Sequence, residues 1–241
     1  MKIVFTDTSK LNDEFAPTPA GYSIPEWYKK LESYIGNKKK PTGHGDSTAT
    51  IKRCMPVFDA ITNGYIIYTY ADIYVKQNEI YDKETNLPTG KTGPWFEWPI
   101  SKPIEFHAVE QAPTIPGRSS YEGALPKFIN PWSVKTPKGY SCLFTQPMHR
   151  DLPFTILPGV VDTDVYTQPV NFPFVLNDWT FEGLIPGGTP VAQVIPFKRE
   201  SWKMEFGKDE NRLEAAQHFH KIKTSFFDAY KIKFRQHKEY K

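Results

Sequence analysis

Two carboxylates, Asp162 and Asp164, stand two residues apart in Gly159-Val160-Val161-Asp162-Thr163-Asp164. Positions i and i+2 of a strand project to the same side, so the pair can hold a cation or activate a water molecule. Gly159 lets the chain enter a tight turn ahead of them, and the valines fill the interior. His149 lies beside Arg150 and Asp151, an acid/base group with a cationic neighbour, but Asp151-Leu152-Pro153 reads equally well as a turn, and the turn is the preferred reading. His218 and His220 are two apart on a predicted helix, hence on different faces, with no Cys or carboxylate at a completing spacing, so no metal site is expected there. Cys54 and Cys142 have no C-x-x-C spacing and read as reduced core thiols. The chain contains no G-x-S-x-G nucleophile turn, no phosphate-cradling glycine loop and no dinucleotide-binding glycine fingerprint.

These residues must be positioned by a chain of 241 residues, 39% hydrophobic and 24% charged, enough for one large domain or two small ones. Its 22 prolines break helix interiors and its 15% aromatics fit pleated surfaces, so most of it should be strand and loop. A net charge of +3 selects no partner. With no apolar run of about eighteen residues and no signal-peptide pattern in Met1 to Asp7, a soluble intracellular protein is expected, with no membrane partner.

Residues 1–47 read as an N-terminal arm with one short helix. Ser23-Ile24-Pro25-Glu26 predicts a capping box, and the helix should run from Trp27 to Tyr34 and stop near Gly36. Lys38 to Gly45 reads as a basic surface loop. Residues 48–207 read as a β-rich domain. After the Asn63-Gly64 turn signal, Tyr65 to Val75 should be the longest strand, linked by the polar stretch Asp82 to Gly90 to a partner at Trp95-Phe96-Glu97-Trp98. That alternation is expected to put both tryptophans on one face, in the core or an interface. Phe106 to Glu110 is a further short strand with His107 partly buried, and Phe128 to Phe197 alternates short apolar runs with Pro/Gly punctuation. Residues 208–241 read as a basic amphipathic helix over 210–239, with Leu213, Ala216, Phe219, Ile222, Phe226, Tyr230 and Phe234 on one face. Arg212, Lys221, Lys223, Lys231, Lys233, Arg235 and Lys238 line its other face, a solvated surface before it is a nucleic-acid one.

Several phrases fall in a familiar order: Thr136-Pro137-Lys138-Gly139-Tyr140, Gln146-Pro147, Pro158 to Asp164, and Ile185-Pro186-Gly187-Gly188-Thr189-Pro190-Val191-Ala192-Gln193-Val194-Ile195. Together they resemble the core of the dUTPase and dCTP deaminase superfamily, over about 60 of the 241 residues. The resemblance implies a mainly β fold, a dUTPase-like β-clip or barrel that is commonly trimeric. It implies catalytic roles for Asp162 and Asp164, and nucleotide or phosphate contacts for His149, Arg150, Tyr166 and Gln193. The chain departs from the family's pattern at several points. Val165 stands where a sugar-packing Tyr is expected, Met148 and His149 interrupt the phosphate-contacting "P-R-S-S", and Gly117-Arg118-Ser119-Ser120 precedes the Gly139-Tyr140 turn, on the wrong side of a strand. The catalytic Glu of deaminases and the Gly-rich C-terminal arm of trimeric dUTPases have no counterpart.

The chain is also similar throughout to a group of proteins of tailed phages, marine ones in particular, through Cys54 to Ala60, Phe128 to Trp132, Lys135 to Pro147 and Ile195 to Arg199. That likeness implies a viral origin and no particular activity. The expectation is therefore a non-enzymatic β-clip scaffold or binding protein, self-associating, that works in the host cytoplasm or the virion against a virion or host protein, without a cofactor. Nucleic acid is a further partner through the basic helix. The alternative is a dUTPase-like nucleotide pyrophosphatase using Asp162, Asp164 and Mg²⁺.

Overall fold

The structure, a computed structural model, describes all residues except 10–12, 38–40, 43–44, 47, 82–87, 99–101, 113, 116–123, 208 and 225–227. Strands β1 (Val4–Asp7) and β2 (Thr18–Pro19) precede helix α1 (Glu26–Lys30). The two-residue strands β3 (Pro41–Thr42) and β4 (Gly45–Asp46) and helix α2 (Met55–Thr62) follow. Next come β5 (Tyr65–Tyr68), β6 (Ile73–Tyr81), β7 (Pro88–Glu97), β8 (Ile104–His107), β9 (Leu125–Phe128) and β10 (Trp132–Lys135). The β-rich stretch closes with β11 (Tyr140–Thr145), β12 (Phe154–Ile156), β13 (Gly159–Val161), β14 (Phe172–Leu176), β15 (Gly183–Ile185) and β16 (Pro190–Lys198), before helices α3 (Asp209–Thr224) and α4 (Ala229–Lys233). With 33% strand against 23% helix the chain is mainly β, as its proline and aromatic content implies.

Two units divide the chain: Met1–Pro19 with Gly64–Arg199, and Ala20–Asn63 with Glu200–Lys241. Expected boundaries at 47 and 207 describe a linear order, whereas each observed unit is assembled from two separate stretches.

The first unit holds sheets of order β13-β11-β16-β5-β2, β12-β14-β9-β8 and β15-β6-β7, plus the pair β1-β10. One apolar cluster draws on all of them, including Ile67 (β5), Val75 (β6), Phe128 (β9), Val134 (β10), Phe144 (β11), Phe154 (β12), Phe174 (β14), Ile185 (β15) and Val194 (β16). Phe174 is its hub: its ring lies 4.1 Å from that of Phe128, stacked, and 5.7 and 5.8 Å from those of Phe154 and Phe96, at steep angles. Strand β16 sits inside its sheet and buries Val191, Ala192, Gln193 and Val194 in succession, the pattern of a strand covered on both faces. Gly64 enters β5 at φ +71°, and a Cβ there would stand 2.0 Å from the Val194 carbonyl oxygen, so the turn admits glycine alone.

Tyr65 to Val75 is not one strand. Thr69 Oγ1 donates to the Ala71 carbonyl at 2.6 Å, Asp72 accepts the Gly187 amide, and Thr69 exchanges backbone hydrogen bonds with Thr189 and Gly188. This knot turns the chain from β5 in the five-stranded sheet to β6 in the three-stranded one. The tryptophans separate as well: Trp95 is exposed, while Trp98 lies past the end of β7 and packs on the core. Three residues are an odd step, and a strand sends odd steps to opposite faces. The strand at Phe106 ends at His107, where a 3₁₀ turn over Val109–Gln111 begins.

In the second unit Pro25 occupies the cap position of α1 and no side chain caps the helix. The predicted Ser23/Glu26 box does not form; Glu26 pairs with Lys29 at 2.7 Å instead. Helix α1 ends at Lys30, where the Lys52 ammonium donates to the Lys29 and Leu31 carbonyls, both at 2.8 Å, and Leu31 turns extended. Helix α2, absent from the sequence expectation, starts with Pro56 in its first turn and stacks Phe58 on the buried Tyr28 at 6.0 Å. Of the basic loop, Pro41 and Thr42 pair antiparallel with Asp46 and Gly45, and its lysines lie outside the described residues.

The single helix expected over 210–239 is two. Asp228, the residue before α4, adopts a left-handed φ of 52° and is ion-paired to Arg53. The expected buried face is exposed at Leu213, Phe219, Ile222 and Tyr230, and Phe226 falls outside the described residues. Phe234 is half-buried, its ring 5.2 Å from that of His218. Two of the expected solvated cations, Arg235 and Lys238, are committed to Asp59, at 2.7 and 3.0 Å.

Candidate functional site

Strand β11 is the spine of the candidate site. It pairs antiparallel with β13 on one side (Cys142 opposite Val161, Phe144 opposite Gly159) and with β16 on the other (Ser141 opposite Phe197, Thr145 opposite Gln193). The double-aspartate hairpin and the Ala-Gln strand therefore share one sheet, with β11 between them.

At the Tyr140 end of β11 both aspartates are held. The Asp162 carboxylate accepts from Ser141 Oγ at 2.6 Å and lies 3.2 Å from Arg199 Nη1. Asp164 accepts from the Gly139 amide at 2.8 Å and from both Arg199 guanidinium nitrogens, Nη1 to Oδ1 at 2.7 Å and Nη2 to Oδ2 at 2.5 Å. Arg199 is fixed in turn, its amide donating to the Gly139 carbonyl at 2.8 Å and its Nη1 reaching Ser141 Oγ at 3.1 Å. Between the aspartates, the fully buried Thr163 hydrogen-bonds Thr136 Oγ1 at 2.7 Å and Cys142 Sγ at 3.3 Å.

The electrostatics follow from these contacts. The Arg199 guanidinium, then the Gly139 amide, hold the Asp164 carboxyl down to about 2, and the same pairing raises Arg199 above its ordinary value. Burial pushes the Cys142 thiol up, so it is not a thiolate nucleophile at neutral pH. The Asp164 side chain is 4% exposed and that of Asp162 58%, so Asp162 is the carboxylate that a solute or cation can reach.

The remaining candidates gather at the other end of β11. Gln193 is fully buried, and its Oε1 accepts the Met148 amide at 3.0 Å, which seats the Met148-His149-Arg150 turn. His149 takes a left-handed φ of 56° and is exposed, and the partly buried Arg150 has its guanidinium pushed down by desolvation. The turn thus falls at Met148–His149, ahead of the Asp151-Leu152-Pro153 position read from the sequence. Gln146, in the phrase that resembles a phosphate segment, spends both side-chain ends on β12, donating to the Phe154 carbonyl and accepting the Ile156 amide. Tyr166 is exposed, its amide donating to the Asp162 carbonyl at 2.9 Å.

The structure therefore brings Asp162, Asp164 and the Tyr166 backbone together at one end, and His149, Arg150 and Gln193 at the other. Ser141 and Thr145, the residues of β11 that mark the two ends, are four residues or about 14 Å apart along the strand. The residue that sequence reasoning missed is Arg199. It is the first residue beyond β16 and its amide reaches Gly139, a placement that no local spacing signals. Gly117 to Ser120 lie outside the described residues, and among the described residues no group of three or more His, Cys, Asp or Glu is placed to hold a metal ion. No described helix is long and apolar enough to cross a membrane. No family model matches the chain, and no curated protein matches it.

Proposed function

We propose that the chain is a phage-encoded, non-enzymatic β-clip scaffold or binding protein that self-associates and works in the virion or against a host component in the cytoplasm. What carries this reading is the Arg199 fork on Asp164. Hydrolysis of a nucleoside triphosphate needs carboxylates free to gather a metal and a water beside bound phosphates. Here one carboxylate is neutralised by an internal guanidinium, and the cationic turn at Arg150 belongs to the far end of the strand. A tied aspartate, a capped turn and a threonine cluster serve the shape of a hairpin, which suits a scaffold.

The second reading, a dUTPase-like nucleotide pyrophosphatase, draws its support from the accessible Asp162. In that case Asp162 would hold the metal and Mg²⁺ would supply charge for the phosphates. Thermal melting with millimolar dUTP, dCTP and Mg²⁺ separates the two, because a ligand of the native state must raise the melting temperature. The scaffold reading expects no shift. A rise that disappears in Asp162→Asn overturns it in favour of the enzyme. Solution mass and detection in purified particles test the rest: a monomer absent from particles and host complexes is incompatible with the scaffold.

A further inference from the structure

The three-stranded sheet β15-β6-β7 turns one face to the core and the other to solvent, and its register fixes which side chains share the outer face. Leu184 lies opposite Tyr74, Tyr74 opposite Glu97, and Lys76 opposite Trp95. Burial alternates along each strand: Ile73, Val75, Phe96 and Ile185 are buried, and the alternate positions Tyr74, Lys76, Trp95 and Leu184 are exposed. Lys76 and Glu97 form an ion pair, so both stand on this outer side. Tyr74, Glu97, Lys76 and Trp95 therefore mark the corners of a square. One diagonal is the ion pair, and the other joins the two aromatic residues, with their backbones about 7–8 Å apart. The fold makes no use of these two rings. Tyr68 and Tyr70, from the same run of chain, bond their hydroxyls internally, to Thr18 Oγ1 at 2.6 Å and to the Lys102 carbonyl at 2.8 Å. Among the described residues, the Tyr74 hydroxyl and the Trp95 indole N–H have no hydrogen-bond partner.

We propose that this face is a carbohydrate platform, which takes a neutral oligosaccharide. Area and charge select that occupant. Tyr74 is 41% exposed, Trp95 44% and Leu184 43%. At about 200 Å² for a fully exposed large side chain, they present on the order of 250 Å² of apolar surface. A stable protein partner takes about 800 Å² from each side, so the ligand is small or thin. The Lys76 ammonium is outnumbered by the carboxylates of Glu97 and Glu182, the latter exposed and accepting the Gln77 amide at 3.1 Å. A nucleic-acid strand also stacks on aromatic rings, but it needs a basic track for its phosphates, which this face lacks. A quaternary ammonium needs rings that surround it, and two rings on one flat sheet do not. What suits the face is a flat molecule with an apolar C–H side and a rim of hydroxyls, which is a pyranose. One sugar ring lies on Trp95 and another on Tyr74, with Leu184 widening the floor beside Tyr74. Hydroxyls between the rings accept from Lys76 and donate to Glu97, and the Tyr74 hydroxyl and Trp95 N–H serve the rim. The ion pair holds both charged groups in place before the sugar arrives, which lowers the ordering cost of binding.

The platform goes beyond the proposed function and stands or falls independently of it. The test is calorimetric titration of the full-length chain with three neutral probes: cellohexaose, maltohexaose and the hexamer of N-acetylglucosamine. Saturable binding of at least one is expected, with an affinity unchanged between about 0.05 and 0.5 M salt because the ligand carries no charge. Trp95→Ala should weaken it at least about tenfold and Tyr74→Ala about fivefold, as for aromatic anchors. Trp202→Ala removes an indole that is exposed but not on this sheet, and it should leave the affinity within about twofold. Glu97→Gln keeps the shape of the side chain and should lower affinity about fivefold with the melting temperature little altered, a combination that a merely structural role would not give. Failure of all three sugars to bind overturns the platform. Sugar binding that survives both Trp95→Ala and Tyr74→Ala places the ligand elsewhere and overturns it equally. If instead oligothymidylate or an oligolysine peptide binds in a Trp95-dependent way while no sugar does, the face serves a charged ligand and the carbohydrate reading is wrong.

Discussion

Arg199 and Asp164 meet as a two-pronged ion pair, each guanidinium nitrogen on its own carboxylate oxygen, and this contact ties the end of β16 to the hairpin after β13. Such a pair makes the first unit sensitive to acid. The folded carboxyl titrates at about 2 and the unfolded one near 3.8. Falling pH therefore protonates the unfolded chain first, so the contribution of Asp164 is complete above about 4 and is lost as pH drops towards 2. Glu105 and Asp178, in the same unit, are also lowered and add to the same loss. Urea unfolding at a series of pH values should show a shallower decline in Asp164→Asn than in the wild type. An unchanged slope would show that the fork does not survive in solution.

Phe174→Ala should cost about 3–5 kcal/mol, because a fully buried ring that meets Phe128, Phe154 and Phe96 leaves a cavity those stiff neighbours cannot fill. Chemical denaturation measures it, with a reference substitution at the exposed Phe106 expected to cost far less.

Two glycines at positive φ should respond differently to alanine. Gly139→Ala at φ +85° meets nothing within 4 Å, so its cost is backbone strain of about 1–2 kcal/mol. Gly64→Ala adds a collision with the Val194 carbonyl, so β5 must part from β16, and the protein should unfold at a markedly lower denaturant concentration or fail to accumulate. Equal midpoints for the two variants would contradict the close approach at Gly64.

Asp59 draws Arg235 and Lys238 together, and the Arg235 guanidinium holds its carboxyl below the usual range. Asp59→Asn should loosen the segment from Asp228 to Lys241 at a cost of about 1–3 kcal/mol. Limited proteolysis should then cut that segment faster, with the melting of the β-rich unit little altered.

Signals carried by neighbouring residues were legible in the sequence. Proline and aromatic content pointed to strands, Asn63-Gly64 to a turn that admits glycine alone, and the order of short motifs to a shared sheet for Asp162 and Gln193. What was not legible depends on partners far along the chain. The break after Tyr68 is made by Gly187 to Thr189, and the end of α1 by Lys52. The candidate site divides on the same line. Asp162 and Asp164 could be chosen from local spacing, but Arg199, which decides what those carboxylates can do, lies 35 residues from Asp164. The tryptophan reading failed for a local reason, a three-residue step taken as an even one.

The pairing of β1 with β10 has a consequence for biosynthesis. Thr6 and Ser133, neighbours across that pair, are 127 residues apart in the chain. At roughly 5–20 residues per second, a ribosome delivers the partner of the first strand some 6 to 25 s after the strand itself emerges. Throughout that interval the nascent segment carries Ile3, Val4 and Phe5 without the strand that pairs with it.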